Sequence, residues 1–214
     1  MTVTEAMNTR SSIRAFKSDK VDRALLMEIF ELAARTPSWG NTQPWEVFVA
    51  TGDTLQRIKN RYRDNYANGI IASPETPRPA EWSEAAVARR EQLQPDMLRD
   101  CGDAVKQFGH LNQVMFNAPA VIYICMDSVL SEWSLYDIGA YSQSIMLTAT
   151  ELGLGTIPAI TLTHFPDILH NELQIPKNLK VTIGIAIGYP DTQNDINNFV
   201  SARSPVAETV RFVD

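Results

Sequence analysis

Basic residues are in the minority in this chain: Lys plus Arg total 19 against 25 Asp plus Glu, a net charge of −6. That balance argues against nucleic acid and anionic membranes as partners, and an anion is left only those places where basic groups cluster. Cysteine is scarce, at two of 214 residues. Cys101 and Cys125 have no metal-type spacing, which fits a reducing cytoplasm, with a disulfide between them left open. No apolar run approaches the ~20 residues that cross a bilayer. Residues Met1–Met7 lack the basic and apolar regions of a signal peptide. The motifs G-x-x-x-x-G-K-[ST], G-x-S-x-G and H-E-x-x-H are all missing. His110, His164 and His170 show no paired ligand spacing and read as surface or capping residues, so neither a hydrolase nor a metal site is supported.

Two short segments stand out against this background. Arg10-Ser11-Ser12-Ile13-Arg14-Ala15-Phe16 carries two guanidinium forks and two hydroxyls. If the segment is extended, Arg10, Ser12 and Arg14 share a face and suit a phosphate. Arg203, beside Ser201 in the tail, could complete the same grip from the far end of the chain. The bland alternative for each arginine is a solvated surface group. The second segment, Pro37-Ser38-Trp39-Gly40-Asn41-Thr42-Gln43-Pro44-Trp45, offers amide groups that both donate and accept, next to ring surfaces, and suits a flat polar heterocycle. Turn formation by Asn41 and plain core packing by Trp45 are its bland counterparts. Asn112, before Ala118-Pro119, is placed to reach a ring carbonyl or simply to cap a helix. Gly153-Leu154-Gly155-Thr156-Ile157-Pro158-Ala159-Ile160-Thr161 reads as a glycine-containing turn. Its backbone amides suit a ring nitrogen, although Pro158 stands where a dinucleotide fingerprint needs its third glycine.

The coarse pattern predicts a helix from Asp22 to about Arg35, with Leu25, Ile29, Leu32 and Ala33 on one face. A strand is expected over 45–51, then a helix over 54–67. Residues 61–107 are charge-rich and read as a peripheral helical excursion, broken by the prolines of 72–81 and again at Pro95, with helices over 82–92 and 97–114. Clear buried strands lie at 120–126 and 180–188, and a buried helix at 136–152 presents Gly139, Ala140, Ser142 and Ser144 for close packing. Strands scattered among longer helices indicate an α+β fold around a central mixed sheet.

Taken together, these pieces resemble the FMN-dependent nitroreductase family over most of the chain outside 61–107. The resemblance rests on the Arg10–Phe16 and Pro37–Trp45 segments, Asn112 with Ala118-Pro119, the Gly153–Pro158 stretch, Gly188-Tyr189-Pro190, and Ser201 with Arg203. It implies a single nitroreductase-like domain over 1–214. In that α+β sandwich a mostly antiparallel sheet is flanked by helices, and two copies form an intertwined homodimer with FMN at the interface. Arg10, Ser11, Ser12, Arg14, Ser201 and Arg203 would hold the phosphate and ribityl chain. Asn112 would contact the pyrimidine ring, and Pro158, Ala159, Ile160 and Thr161 would lie near N5. Ser38, Trp39, Gly40 and Asn41 would come from the partner subunit, and Gln43 would also bind the cofactor. The implied activity is hydride transfer from NADH or NADPH through flavin N5 to a small nitroaromatic or quinone-like acceptor, with no side chain assigned as general acid. Trp39, Trp82 and Phe108 are candidates for the substrate pocket. Trp39 and Ala159-Ile160 depart from the family pattern. Dehalogenation, dehydrogenation, a flavin-binding module without turnover and a purely structural dimer stay open as alternatives.

Overall fold

A computed structural model describes residues 1–213. Its centre is a four-stranded sheet of β1 (Glu46–Thr51), β2 (Ala120–Asp127), β3 (Gly155–Ala159) and β4 (Leu179–Gly188), in the order β1-β2-β4-β3. All three strand pairings are antiparallel. A parallel bridge from Ser12 to Thr156 at the β3 edge supplies the mixed character. β2 is buried along nearly its whole length, and its alternate residues sort to opposite faces as the pleat requires. Val121, Tyr123 and Cys125 face one apolar layer, and Ala120, Ile122, Ile124 and Met126 the other.

Helices cover both layers. On the second face lie α2 (Arg23–Ala33) and α6 (Glu132–Glu151), through Leu26, Ile29 and Ala33 and through Ile138, Tyr141, Ile145 and Ala149. Leu32, expected inward, is 52% exposed. The first face packs against α3 (Gly52–Ala67), α4 (Glu84–Cys101) and α7 (Pro166–Leu173). Three short helices complete the chain: α1 (Val3–Thr9), closed by a Thr2/Glu5 capping box, α5 (Phe108–Gln113) and α8 (Val206–Thr209).

The structure corrects several expectations. The stretch read as a turn at 153–161 contains β3, and α1 and α7 lie where no helix was expected. Residues 61–107 are not uniformly peripheral, because Tyr62, Met97 and Cys101 are core residues. Pro95 does not break α4, which runs on to Cys101, and the break falls at Gly102, where φ is +52°. A proline within a helix removes one backbone hydrogen bond at a cost of about 3 kcal/mol. Burial of Met97 and Cys101 one turn later, each worth roughly 1–3 kcal/mol, offsets it. Cys101 and Cys125 are both free and buried, so no disulfide forms.

Candidate active site

The site is organised by β3. Gly155 and Gly184 permit this by close approach: a Cβ on Gly155 would lie 2.5 Å from Ile13, and one on Gly184 would lie 2.5 Å from Leu162. Glycine at these positions lets the Arg10–Arg14 segment dock along the start of β3, and lets the 3-10 turn Ile160–Thr163 fold against β4 at its end. The docked segment is pinned by Ile13 N–H donating to Thr156 O at 2.9 Å. Asn197 clasps it from the tail, with Oδ1 accepting from the backbone N–H groups of Arg14 and Ala15 at 2.7 and 3.1 Å and Nδ2 donating to Ala15 O at 2.8 Å.

That clasp closes a cleft of about 200 Å³ lined by Arg10, Ser11, Ser12, Arg14, Ser201 and Arg203, together with Met7, Asn8, Phe199 and Val200. The six polar residues named from the sequence for a phosphate grip thus share one cavity. Arg14 is only 8% exposed. Its Nη1 donates to Ser12 O at 2.8 Å, its guanidinium carbon lies 4.9 Å from the centre of the Phe199 ring, and its Nε is buried with no hydrogen-bond partner. Arg203 folds over its own loop, donating to Ser201 Oγ at 2.7 Å. No carboxylate pairs with Arg10, Arg14 or Arg203 among the described residues. Burial lowers the pKa of Arg14, and burial followed by repulsion from Arg203 lowers that of Arg10. Three cations line this cleft without a counter-charge, in a chain of net charge −6.

Ile160 lies four residues beyond Thr156, roughly 13 Å at the rise of a strand. There Thr161 Oγ1 donates to Asn112 Oδ1 at 3.2 Å, while Asn112 Nδ2 donates to Phe108 O at 2.7 Å. Asn112 is therefore tied to Thr161 rather than serving only as a cap. Met115, Phe116 and Asn117 follow it with φ of +52°, +57° and +56°. Such conformations strain L residues, and burial of Met115 and Phe116 holds them. Pro158, Ala159, Ile160 and Thr161 are all half-buried, leaving this end of the strand partly open.

The second segment lies elsewhere. Gln43 N–H donates to Ser38 Oγ at 2.9 Å and Gln43 Nε2 to Asn41 Oδ1 at 3.2 Å, while Gly40 and Asn41 both have φ of +57°. Trp39 is 70% exposed, and its N–H donates to Asp137 of α6 at 3.2 Å. It borders a shallow apolar cleft with Trp133 and Tyr136, not the arginine cleft. Trp39, Trp82 and Phe108 do not share a pocket here: Trp82 lies under the Arg90 guanidinium, 4.4 Å from its ring centre, and Phe108 packs against the core. His164, read as a surface or capping residue, is the C-cap of the Ile160–Thr163 turn and is buried between Tyr66 and Arg78.

Three residues that line or support the cleft were not singled out as site residues in the sequence. Thr156 pairs with Ser12 and has a buried, unpartnered hydroxyl. Asn197 and Phe199 act through long-range contacts, and their only local signal is proximity to Ser201 and Arg203.

The family profile described as "Nitroreductase family" matches residues 7–189. The chain belongs to the nitroreductase family. It is 31% identical over 218 residues to a 4-nitrobenzoate reductase of Nocardioides sp. (strain LMS-CY), covering 95% of this chain and 87% of that one. The fold superposes with a TM-score of 0.91 and 27% identity on an FMN and NADPH-dependent nitroreductase, NfnB, of Sphigopyxis sp. strain HMH, covering 100% of both chains. It is also similar to the FMN-dependent nitroreductase NfnB of Mycobacterium smegmatis in complex with NADPH, at a TM-score of 0.89 and 26% identity over 99% of this chain and 97% of that one. Among the described residues of this nitroreductase, no helix is long and apolar enough to cross a membrane, and no group of metal-ligating side chains is found.

Proposed function

We propose that this nitroreductase reduces small nitroaromatic or quinone-like acceptors with hydride from NADH or NADPH, using bound FMN, as a homodimer in the cytoplasm. The observation that carries the reading is the convergence of Arg10, Arg14 and Arg203, without acid partners, at the start of a strand whose far end carries the Asn112–Thr161 pair. A flavin phosphate fits the donor set, since Arg14 Nε and Thr156 Oγ1 are buried polar atoms without partners. When bound, FMN supplies two-electron hydride chemistry.

The chain's own residues do the rest. Arg10, Arg14 and Arg203, with Ser11, Ser12 and Ser201, hold the phosphate end. Asn112 and Thr161 offer hydrogen bonds to a polar ring edge, and the backbone of Pro158–Thr161 flanks it. Those donors favour negative charge developing on the ring. No titratable side chain is required to deliver a proton.

The dimer reading is supported by what one chain leaves open. Ser38–Gln43 is displayed at the N-terminal end of α6, away from its own arginine cleft, beside exposed Trp133 and Tyr136. The tail carries Val210 and Phe212, 47% and 91% exposed. β1 is an edge strand, and it borders an apolar groove of about 400 Å³ lined by Leu26, Met27, Phe30, Val47 and Val49. An apolar tail and an apolar groove beside a free edge suit exchange between two copies, and the whole chain then acts as one intertwined nitroreductase-like domain. The two free thiols support the cytoplasmic assignment.

The test is the absorbance spectrum of the purified protein. Flavin colour bleached by NADH or NADPH and restored by a nitroaromatic is expected. Colourless protein that takes up no added FMN overturns the reading.

A further inference from the structure

Outside the arginine cleft, Arg78 is one of the cations held in place without an acid partner among the described residues. The proline-rich segment over 72–79 is strapped across the first face of the sheet. Ser73 N–H donates to His164 O at 3.0 Å. Glu75 accepts the Val181 N–H at 2.7 Å, beside the β4 irregularity opposite Ile124/Cys125, and also contacts His170. Arg78 Nη2 donates to His164 Nε2 at 2.7 Å. A guanidinium only donates, so Nε2 is the acceptor, and the ring proton sits on Nδ1, bonded to Tyr66 Oη at 2.8 Å. Burial first, and then the neighbouring Arg78, lowers the His164 pKa, which keeps the imidazole neutral and able to accept. Burial pushes the Tyr66 phenol up to about 12, so it stays protonated.

Arg78 is thus oriented by a neutral relay that consumes one of its donors and none of its charge. No carboxylate pairs with it among the described residues. It lines an open cavity of about 320 Å³ with Ala72, Ser73, Pro74 and Pro77, whose prolines stiffen the wall. Arg78 is linked to the proposed ring end of the site through His164, which caps the turn, Ile160–Thr163, that carries Thr161.

We propose that Arg78 recognises an oxyanion borne by a molecule visiting the flavin face, either a carboxylate on an aromatic acceptor or the extra phosphate that distinguishes NADPH from NADH. This deepens the flavin-reductase reading and rests on it. A planar fork with free N–H donors suits either oxyanion, and its pre-set orientation lowers the entropy lost on binding.

Arg78→Gln and Arg78→Lys proteins, loaded with FMN, test it. The first readout is kcat/KM for 4-nitrobenzoate divided by that for the neutral 4-nitrobenzamide. The second is the NADPH/NADH ratio of kcat/KM. Calorimetric titration with benzoate against benzamide, and with NADPH against NADH, reads binding without turnover. One ratio is expected to fall by about tenfold or more in Arg78→Gln, with Arg78→Lys in between. A fall in the acceptor ratio assigns the carboxylate, and a fall in the donor ratio assigns the phosphate. Both ratios unchanged, or loss shared equally by charged and neutral partners, overturns the proposal and leaves Arg78 as a strut for the strap. A wild-type protein that takes up no FMN would instead defeat the flavin reading, and the calorimetry would still judge Arg78.

Discussion

The segments Arg10–Arg14 and Ser38–Gln43 flank the same helix, α2, yet the chain treats them in opposite ways. The first is locked in place: bridged to β3, clasped by Asn197, with Arg14 buried. The second is held by its own turn bonds and by Asp137, and it displays Trp39 outward. The arginine cleft is therefore closed within a single chain, and the Ser38–Gln43 loop is left outward-facing. The difference teaches that the arginine cleft is assembled by the folding of one chain, whereas Ser38–Gln43 faces outward at the start of α6; the proposed dimer assigns that loop to the partner's site.

Breaking the arginine cleft has the largest expected effect. Arg14→Ala combined with Arg203→Ala should weaken FMN binding by about 100-fold or more, since charge-assisted hydrogen bonds contribute roughly 1.5–3 kcal/mol each. Titration of apoprotein with FMN checks this, and a melting curve of each variant separates lost binding from lost folding. Next comes Gly184→Val, which forces a side chain into Leu162. It should destabilise the fold by about 1–3 kcal/mol and shift the turn that carries Thr161, a loss readable by chemical denaturation. Disturbing the proposed dimer contacts should act on assembly and not on folding. Val210→Ser with Phe212→Ser is expected to raise the dimer dissociation constant by about tenfold or more by analytical ultracentrifugation, with little change in denaturation midpoint.

The smallest effect concerns pH. His164, faced by Tyr66 and Arg78, has its pKa lowered below the ordinary value of 6.5. The unfolded chain therefore binds the proton more readily. The contribution of this site is complete above about pH 6.5 and declines as the pH falls through the unfolded value toward the lower folded one. His164→Asn should flatten that part of the stability curve between pH 7.5 and 5.5, measured by thermal melting. An unchanged slope would remove His164 from the account.

Legibility in the sequence followed the range of the interactions. A continuous apolar run made β2 readable, and the apolar residues of α6 made that helix readable, because both signals are local. The alternation of Arg10, Ser12 and Arg14 was equally visible, and all three line one cleft in the structure. β3 was hidden because Gly155 and Pro158 read as punctuation, while the strand exists through pairing with β4. Pro95 misled for a similar reason: burial of residues one turn further on outweighed a local penalty. Asn197, Phe199 and the His164–Arg78 contact depend on residues far apart in the chain, and no local pattern encodes them. Trp82 was read as a substrate-pocket candidate, not as the platform for Arg90.

The most direct test of a site divided between chains is complementation. One chain carries Arg14→Ala and Arg203→Ala, the other carries Asn41→Ala and Gln43→Ala, and doubly tagged heterodimers are isolated and their flavin content is measured. Sharing across the two-fold predicts one whole site per heterodimer, about half of the wild-type flavin, although each variant alone binds poorly. Heterodimers as empty as the parent variants would contradict it, and would place both grips on the same chain.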